Sequence, residues 1–194
     1  MIGLVLAAGQ GTRMGGPKAL LAWGGAPLAL AHAEALVAAG ARAVGVVVRP
    51  DVAEALEALP RPAAVVLVRS TEPEASGAAG SLRAGLAAVA CDAGELVAIT
   101  PTDALPVSAV VMAALVAAAT ASGAAKPVYA GAGGHPVVVR ASWLGAYRDG
   151  APTLRDVLRA RGDAVARVAV DDPRVTADLD TPAELARWLA TRKL

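Results

Sequence analysis

The sequence predicts a three-layer α/β fold, a mostly parallel sheet with helices on both faces. Three observations lead there. Four short apolar runs, Ile2–Ala7, Ala43–Val48, Ala64–Val68 and Leu96–Thr100, are valine-rich and lack the polar alternation of half-exposed strands. Helical patterns separate them, as right-handed crossovers between parallel strands require. The first run also passes straight into a glycine-rich loop, and open parallel sheets hold their ligands beyond such strand ends.

The elements follow in order. Pro27–Ala39 has a helical pattern ended by Gly40, which suits a C-terminal capping glycine. Asp51–Leu59 is a second helix, bounded by Pro50 and Pro60. Ser81–Val89 and Pro106–Ser122 are the third and fourth. The last third changes character. Pro127–Ala130 and Pro136–Arg140 flank Gly131-Ala132-Gly133-Gly134, a hairpin pattern. Leu154–Arg161 is a basic amphipathic helix and Ala166–Val170 a short strand. Pro182–Trp188 opens the final helix, with Thr181 as N-cap and Pro182 at its first position. The 194 residues fit one domain over 1–194, with a small excursion around Gly131–Ala166.

Composition narrows the function. With three Trp, two Tyr and no Phe, the core has to be packed from small aliphatic side chains. A net charge of +1 gives no general attraction for nucleic acid or an anionic membrane. One cysteine excludes an internal disulfide, and with two histidines it leaves little material for a zinc site. Ala104–Ala125 is uncharged and long enough to span a bilayer, but Pro106, Gly123 and its Ser and Thr content mark it as a buried helix. The N-terminus lacks the basic region of a secretory signal. The expectation is a soluble cytoplasmic protein with neither membrane nor nucleic acid as partner.

The chemistry concentrates in Leu6–Leu21, LAAGQGTRMGGPKALL. Gly9, Gly11, Gly15 and Gly16 let the backbone approach a ligand and present N–H groups to it. Arg13 and Lys18 add cations, so the ligand is anionic, and a triphosphate fits. Two standard phosphate loops fail on spacing. For the dinucleotide fingerprint the third glycine comes one place late, and the second strand ends in Val48-Arg49-Pro50 without an acid. For the P-loop, Pro17 intervenes before Lys18 and Ala19 replaces the metal-binding hydroxyl.

Asp103 follows the strand Leu96–Thr100, a suitable place to hold Mg²⁺ by carboxylate oxygen, although a turn acid or helix cap would also stand there. Asp178 and Asp180 share one side of an extended segment, where like charges call for a cation, unless one of them caps the final helix. Ser81 in Gly77-Ala78-Ala79-Gly80-Ser81 is either a helix cap or a ligand contact. Arg83 faces phosphate or solvent. His135 is a hairpin polar residue or a site residue, whereas His32 inside the first helix is structural. Cys91 lacks a neighbouring cation or histidine, which argues against a nucleophile.

Leu6, Ala7, Ala8, Gly9, Gly11, Arg13, Met14, Gly15, Pro17 and Lys18 match L-A-A-G-x-G/S-x-R-M-G-x-P-K, and the chain resembles the MobA-like nucleotidyltransferases. The resemblance covers nearly the whole chain. It implies a Rossmann-like nucleotidyltransferase fold whose small β excursion lies on the acceptor side. It also implies Mg²⁺ as cofactor and two substrates, a nucleoside triphosphate and a phosphorylated small molecule. It assigns Leu6, Ala7, Ala8, Gly9, Gly11, Gly77 and Ser81 to nucleotide binding, Arg13 and Lys18 to catalysis, Asp103 and Asp180 to the metal, and His135 to the acceptor side. Asp178 is the lesser metal candidate. Alanine at position 8 is similar to the cytidylyltransferase branch, which attaches CMP to molybdopterin. That implies CTP as donor and a molybdoenzyme or its maturation factor as protein partner. Gly150-Ala151-Pro152-Thr153-Leu154-Arg155 departs from the acidic glycine-rich loop of the family, which leaves a sugar phosphate open as acceptor. A nucleotide-binding accessory protein in cofactor delivery is the non-enzymatic alternative.

Overall fold

The structure, a computed structural model, describes residues 1–71, 77–149 and 153–191. The Gly150–Pro152 part of the departing loop lies outside them. An eight-stranded sheet forms the middle layer. Its main path runs β10 (Val165–Ala169), β7 (Ala124–Tyr129), β9 (Val137–Arg140), β6 (Leu96–Pro101), β1 (Ile2–Leu6), β4 (Ala43–Val48), β5 (Val65–Arg69), and β8 (Ala132–Gly133) pairs with β7. β1 pairs in parallel with β4 on one side and β6 on the other, with Leu6 opposite both Val47 and Pro101. β5 is parallel to β4, and β10 to β7. β9 runs antiparallel between β6 and β7. A small antiparallel pair, β2 (Ala22–Trp23) and β3 (Ala26–Pro27), precedes the first helix.

The central strands β1, β4 and β6 are buried on both faces, which explains their unbroken apolar runs, whereas β5 at the edge leaves Val66 exposed. On one face Val5, Val44, Val46 and Val48 pack with α1 (Leu28–Ala38), α2 (Pro50–Glu57) and α4 (Ala109–Ser122) through Leu36, Leu56, Met112 and Leu115. On the other, Ile2, Leu4 and Ile99 pack with Leu82 of α3 (Gly77–Ala88), Tyr147, and Val157 of α5 (Leu154–Arg161). A third cluster joins Trp23, Leu28, Leu105 and Leu179, with Leu185 and Trp188 of α6 (Pro182–Thr191) packed against it. Without Phe, density comes from close approach. A Cβ on Gly85 would lie 3.0 Å from Leu4 and 3.1 Å from Val47, so α3 sits directly on the sheet.

Several boundaries differ from the sequence expectation. α3 begins at Gly77, one turn early, so Ser81 is inside the helix and not its N-cap; its hydroxyl donates to Gly77 O at 3.5 Å. α4 begins at Ala109 because Ser108 caps it, its Oγ accepting from Val111 N. The hairpin is tighter than expected: Ala130 and Gly131, both at positive φ, turn β7 into β8. Val137–Arg140 does not stay in the excursion. Val137, Val138 and Val139 are buried, and the strand is inserted into the main sheet. Thr181 caps α6 as expected: its Oγ1 accepts from Glu184 N at 3.3 Å, and Glu184 Oε2 accepts from Thr181 N at 2.7 Å. The uncharged Ala104–Ala125 stretch contains the 14-residue α4, and among the described residues no helix is long and apolar enough to cross a membrane.

Candidate active site

From β1 the chain builds outward to β4 and β5, then returns to the other side of β1 as β6. The loops after β1 and β6 therefore part at their carboxyl ends, where open sheets form a ligand crevice. A cavity of about 720 Å³ lies there, a size suited to a nucleotide. Gly9, Gly11, Arg13 and Lys18 line one wall. Asp103 and Asp180 line it as well, as do Leu6, Ala8, Gly77 and Ser81. Ala7 does not; it is buried, and its N–H donates to Val47 O at 2.8 Å, tying the loop to the sheet. His135 does not line the cavity either.

Gly11 shapes the loop. Its φ is +63°, and its carbonyl accepts from Met14 N at 2.8 Å and Gly16 N at 3.3 Å. A Cβ there would strike the Gly16 carbonyl oxygen. Gly11→Ala is therefore expected to weaken nucleotide binding tenfold or more, since a strained non-glycine residue costs about 1–3 kcal/mol and the loop has to open to admit it. Titration calorimetry with each triphosphate checks this; unchanged affinity would mean that the loop does not shape the site.

The opposite wall is pinned by backbone contacts. Leu179, fully buried, donates its N–H to Asp103 O at 2.8 Å, and Thr102 N donates to Leu6 O at 3.1 Å. Leu179 points inward, and its neighbours in sequence carry the two acids. Lys18 Nζ donates to Asp180 Oδ1 at 2.7 Å, and Arg13 stands 3.5 Å from Oδ2. The Lys18 hydrogen bond, then its charge and that of Arg13, hold the Asp180 carboxyl below its usual range. Asp178 is pushed the other way by partial burial and then by the charges of Asp180 and Asp103. Because Thr181 caps α6, neither acid is committed to that role.

Among the described residues no three His, Cys, Asp or Glu side chains form a group able to hold a metal unaided. Mg²⁺ needs no such group, since it is usually held by one or two carboxylates with substrate phosphates and waters completing its shell. The donor chemistry fits: Asp103 and Asp180 both bring a carboxylate to the one cavity.

Several residues of the rim were not singled out in the sequence, Arg49, Asp51 and Ser70 among them. Arg49 and Asp51 flank Pro50 beyond β4, with Arg49 Nη2 2.6 Å from Asp51 Oδ2, and Ser70 follows β5. Their one available signal was position at the carboxyl ends of parallel strands.

Both histidines are withdrawn from the cavity. His32 is buried on α1 with Nε2 3.1 Å from Ala104 O, and burial lowers its pKa from 6.5 to about 4. His135 donates its backbone N–H to Val175 O at 2.7 Å, while its Nδ1 is buried without a partner. Burial lowers its pKa too, opposed by the charge of Asp103. His32 has a consequence for stability. Between pH 6.5 and about 4 the unfolded chain takes up a proton there that the folded protein does not. Its contribution is complete above pH 6.5 and is lost as the pH falls, by roughly 3 kcal/mol over the window at ~1.4 kcal/mol per unit. Urea unfolding of wild type and His32→Gln across this range is expected to show the steeper loss in wild type; parallel curves would contradict a neutral buried imidazole.

Fold and crevice together define a class, an α/β protein that receives a phosphate-bearing ligand at the switch point of its sheet. The profile of the MobA-like NTP transferase domain matches residues 3–168; the chain belongs to that family and is a nucleotidyltransferase. Among solved structures, Rv0371c from Mycobacterium tuberculosis H37Rv is 26% identical with a TM-score of 0.79, covering 97% of each chain. The same protein in complex with manganese matches at 25% identity and TM-score 0.74, covering 98% of both chains. The 2-C-methyl-D-erythritol 4-phosphate cytidylyltransferase from Thermus thermophilus shares the fold at 22% identity and TM-score 0.70, covering 100% of this chain and 98% of its own. A search of the curated proteins finds no match.

Proposed function

We propose that the protein transfers CMP from CTP to the phosphate monoester of molybdopterin, releasing pyrophosphate with Mg²⁺ as cofactor. The observation that carries this reading is the Lys18–Asp180 contact. It joins the cationic glycine loop to an acid-bearing loop across one cavity that Asp103 also lines. Asp103 and Asp180 would hold Mg²⁺, which supplies charge neutralisation on the triphosphate and on the leaving pyrophosphate. The manganese complex of Rv0371c is consistent with a divalent ion in such a site.

The residues suffice for the chemistry. A phosphate monoester has a second pKa near ~6 and is already an anion at neutral pH. Its oxygen attacks the α-phosphorus, the α–β anhydride bond breaks, and pyrophosphate leaves. No side chain has to remove a proton, in keeping with a cavity whose described lining contains neither His nor Cys. Loop N–H groups from Gly9 onward orient the triphosphate, and Arg13 and Lys18 turn from Asp180 to its phosphates. Ser81 and Gly77, at the start of α3, receive the nucleoside end. His135 keeps an acceptor-side place by the family resemblance alone, since its ring does not line the nucleotide cavity. The preference for CTP rests on Ala8.

Transfer of label from α-³²P-CTP to molybdopterin, with a panel of sugar phosphates beside it, tests the acceptor. Labelled molybdopterin alone is the expected product. A labelled sugar phosphate would move the acceptor, and nucleotide binding without transfer to any compound would point to an accessory protein in cofactor delivery.

A further inference from the structure

We infer that His32 is a positioning residue for Asp103, holding the carbonyl of Ala104 so that the loop after β6 presents its carboxylate to the cavity at a fixed angle. The inference rests on the reading of Asp103 as a metal contact. Three consecutive residues of that loop are each tied to a different part of the fold. Thr102 N donates to Leu6 O at the end of β1. Asp103 O accepts from Leu179 N of the segment that carries Asp178 and Asp180. Ala104 O lies 3.1 Å from His32 Nε2, on α1. The first two ties are backbone to backbone and independent of side-chain identity. The third depends on one side chain.

A carbonyl oxygen only accepts, so His32 carries its proton on Nε2 and is a donor. Ala104 and His32 are each 2% exposed, so the bond is shielded from bulk solvent. Leu105, the next residue, is anchored against Trp23, Leu28 and Leu179. Without the imidazole the loop keeps its hydrophobic anchor and loses the tie beside Asp103. A packing role would need only the volume of the ring, whereas a positioning role needs the donor.

The test is binding of Mn²⁺ together with a non-hydrolysable CTP analogue, whose phosphates complete the metal's shell, followed by the electron paramagnetic resonance of the protein-bound ion, to wild type, Asp103→Ala, His32→Met and His32→Gln. Methionine fills much of the space without a donor; glutamine keeps a neutral one. Removing a group that orients a metal ligand costs about tenfold or more in affinity. His32→Met is expected to bind Mn²⁺ about tenfold more weakly, with His32→Gln recovering most of the loss. Folded His32→Met with wild-type affinity would overturn the inference, provided Asp103→Ala has lost the metal; His32 would then be a packing residue. If Asp103→Ala binds as wild type, the reading of Asp103 fails and the inference falls with it. If His32→Met does not fold, His32→Asn, whose amide is too short to reach the same carbonyl, takes its place with the same expected loss.

Discussion

Lys18→Ala is expected to lower the rate of pyrophosphate release about a hundredfold to a thousandfold, the range seen when one preorganised group that stabilises transition-state charge is removed. The Lys18 side chain is 16% exposed, so the field of its charge is less screened by water than that of a surface lysine. It sits at the start of the short turn Lys18–Leu20, whose next residue, Ala19, is buried in the core and sets the direction of the side chain. Lys18 itself belongs to no hydrophobic cluster, so its truncation leaves the fold in place. The loss is expected mainly in kcat, because charge on the leaving pyrophosphate develops in the transition state. Arg13 cannot replace it, since its side chain is 77% exposed and 3.5 Å from the same aspartate. Steady-state kinetics with a thermal melt on each variant checks this; full activity in folded Lys18→Ala would remove the lysine from the mechanism.

Asp103→Ala and Asp180→Asn are each expected to lose turnover by about a hundredfold or more, as removal of a carboxylate from a metal-assisted phosphoryl site should. They differ in a second readout. Asp180 is paired with Lys18 and Arg13, so its neutralisation releases two cations toward the cavity. Asp180→Asn should therefore bind triphosphate severalfold more tightly in the absence of metal, while Asp103→Ala, without such a pair, should not. Calorimetry in EDTA separates the two. If Asp180→Asn bound metal-free triphosphate no better than wild type, the ion pairs would not compete with the ligand.

Much of the sheet was legible because its central strands are buried on both faces. Ala43–Val48 reads as a continuous apolar run and is β4 with the same bounds. α5 was equally plain, since Leu154–Arg161 is strongly amphipathic; the structure adds the Thr153–Asp156 capping box that starts it. The fate of Val137–Arg140 was not legible. Insertion between β6 and β7 is a long-range pairing, and a valine run looks the same in a hairpin and in a sheet centre. Ser81 was ambiguous for a local reason: the glycine at 77 starts the helix a turn early, and glycine is a poor helix former that sequence patterning discounts.

In the site, the glycine loop and the acids were legible by residue type, and the structure puts them on one cavity. Two things were hidden. The pairing of Lys18 with Asp180 spans most of the chain and leaves no spacing signal. The burial of both histidines is a tertiary effect, and it sets His32 of α1 against the carbonyl of Ala104 in the loop after β6 and leaves His135 outside the cavity.

Pyrophosphate release with Mg²⁺, molybdopterin and each of the four nucleoside triphosphates in turn tests the central claim most directly. The expected result is release with CTP, dependent on both the metal and the acceptor, and little with ATP, GTP or UTP. Release with a different triphosphate would contradict the assignment of the base, and no release with any of them, despite nucleotide binding, would contradict the proposed transfer to molybdopterin.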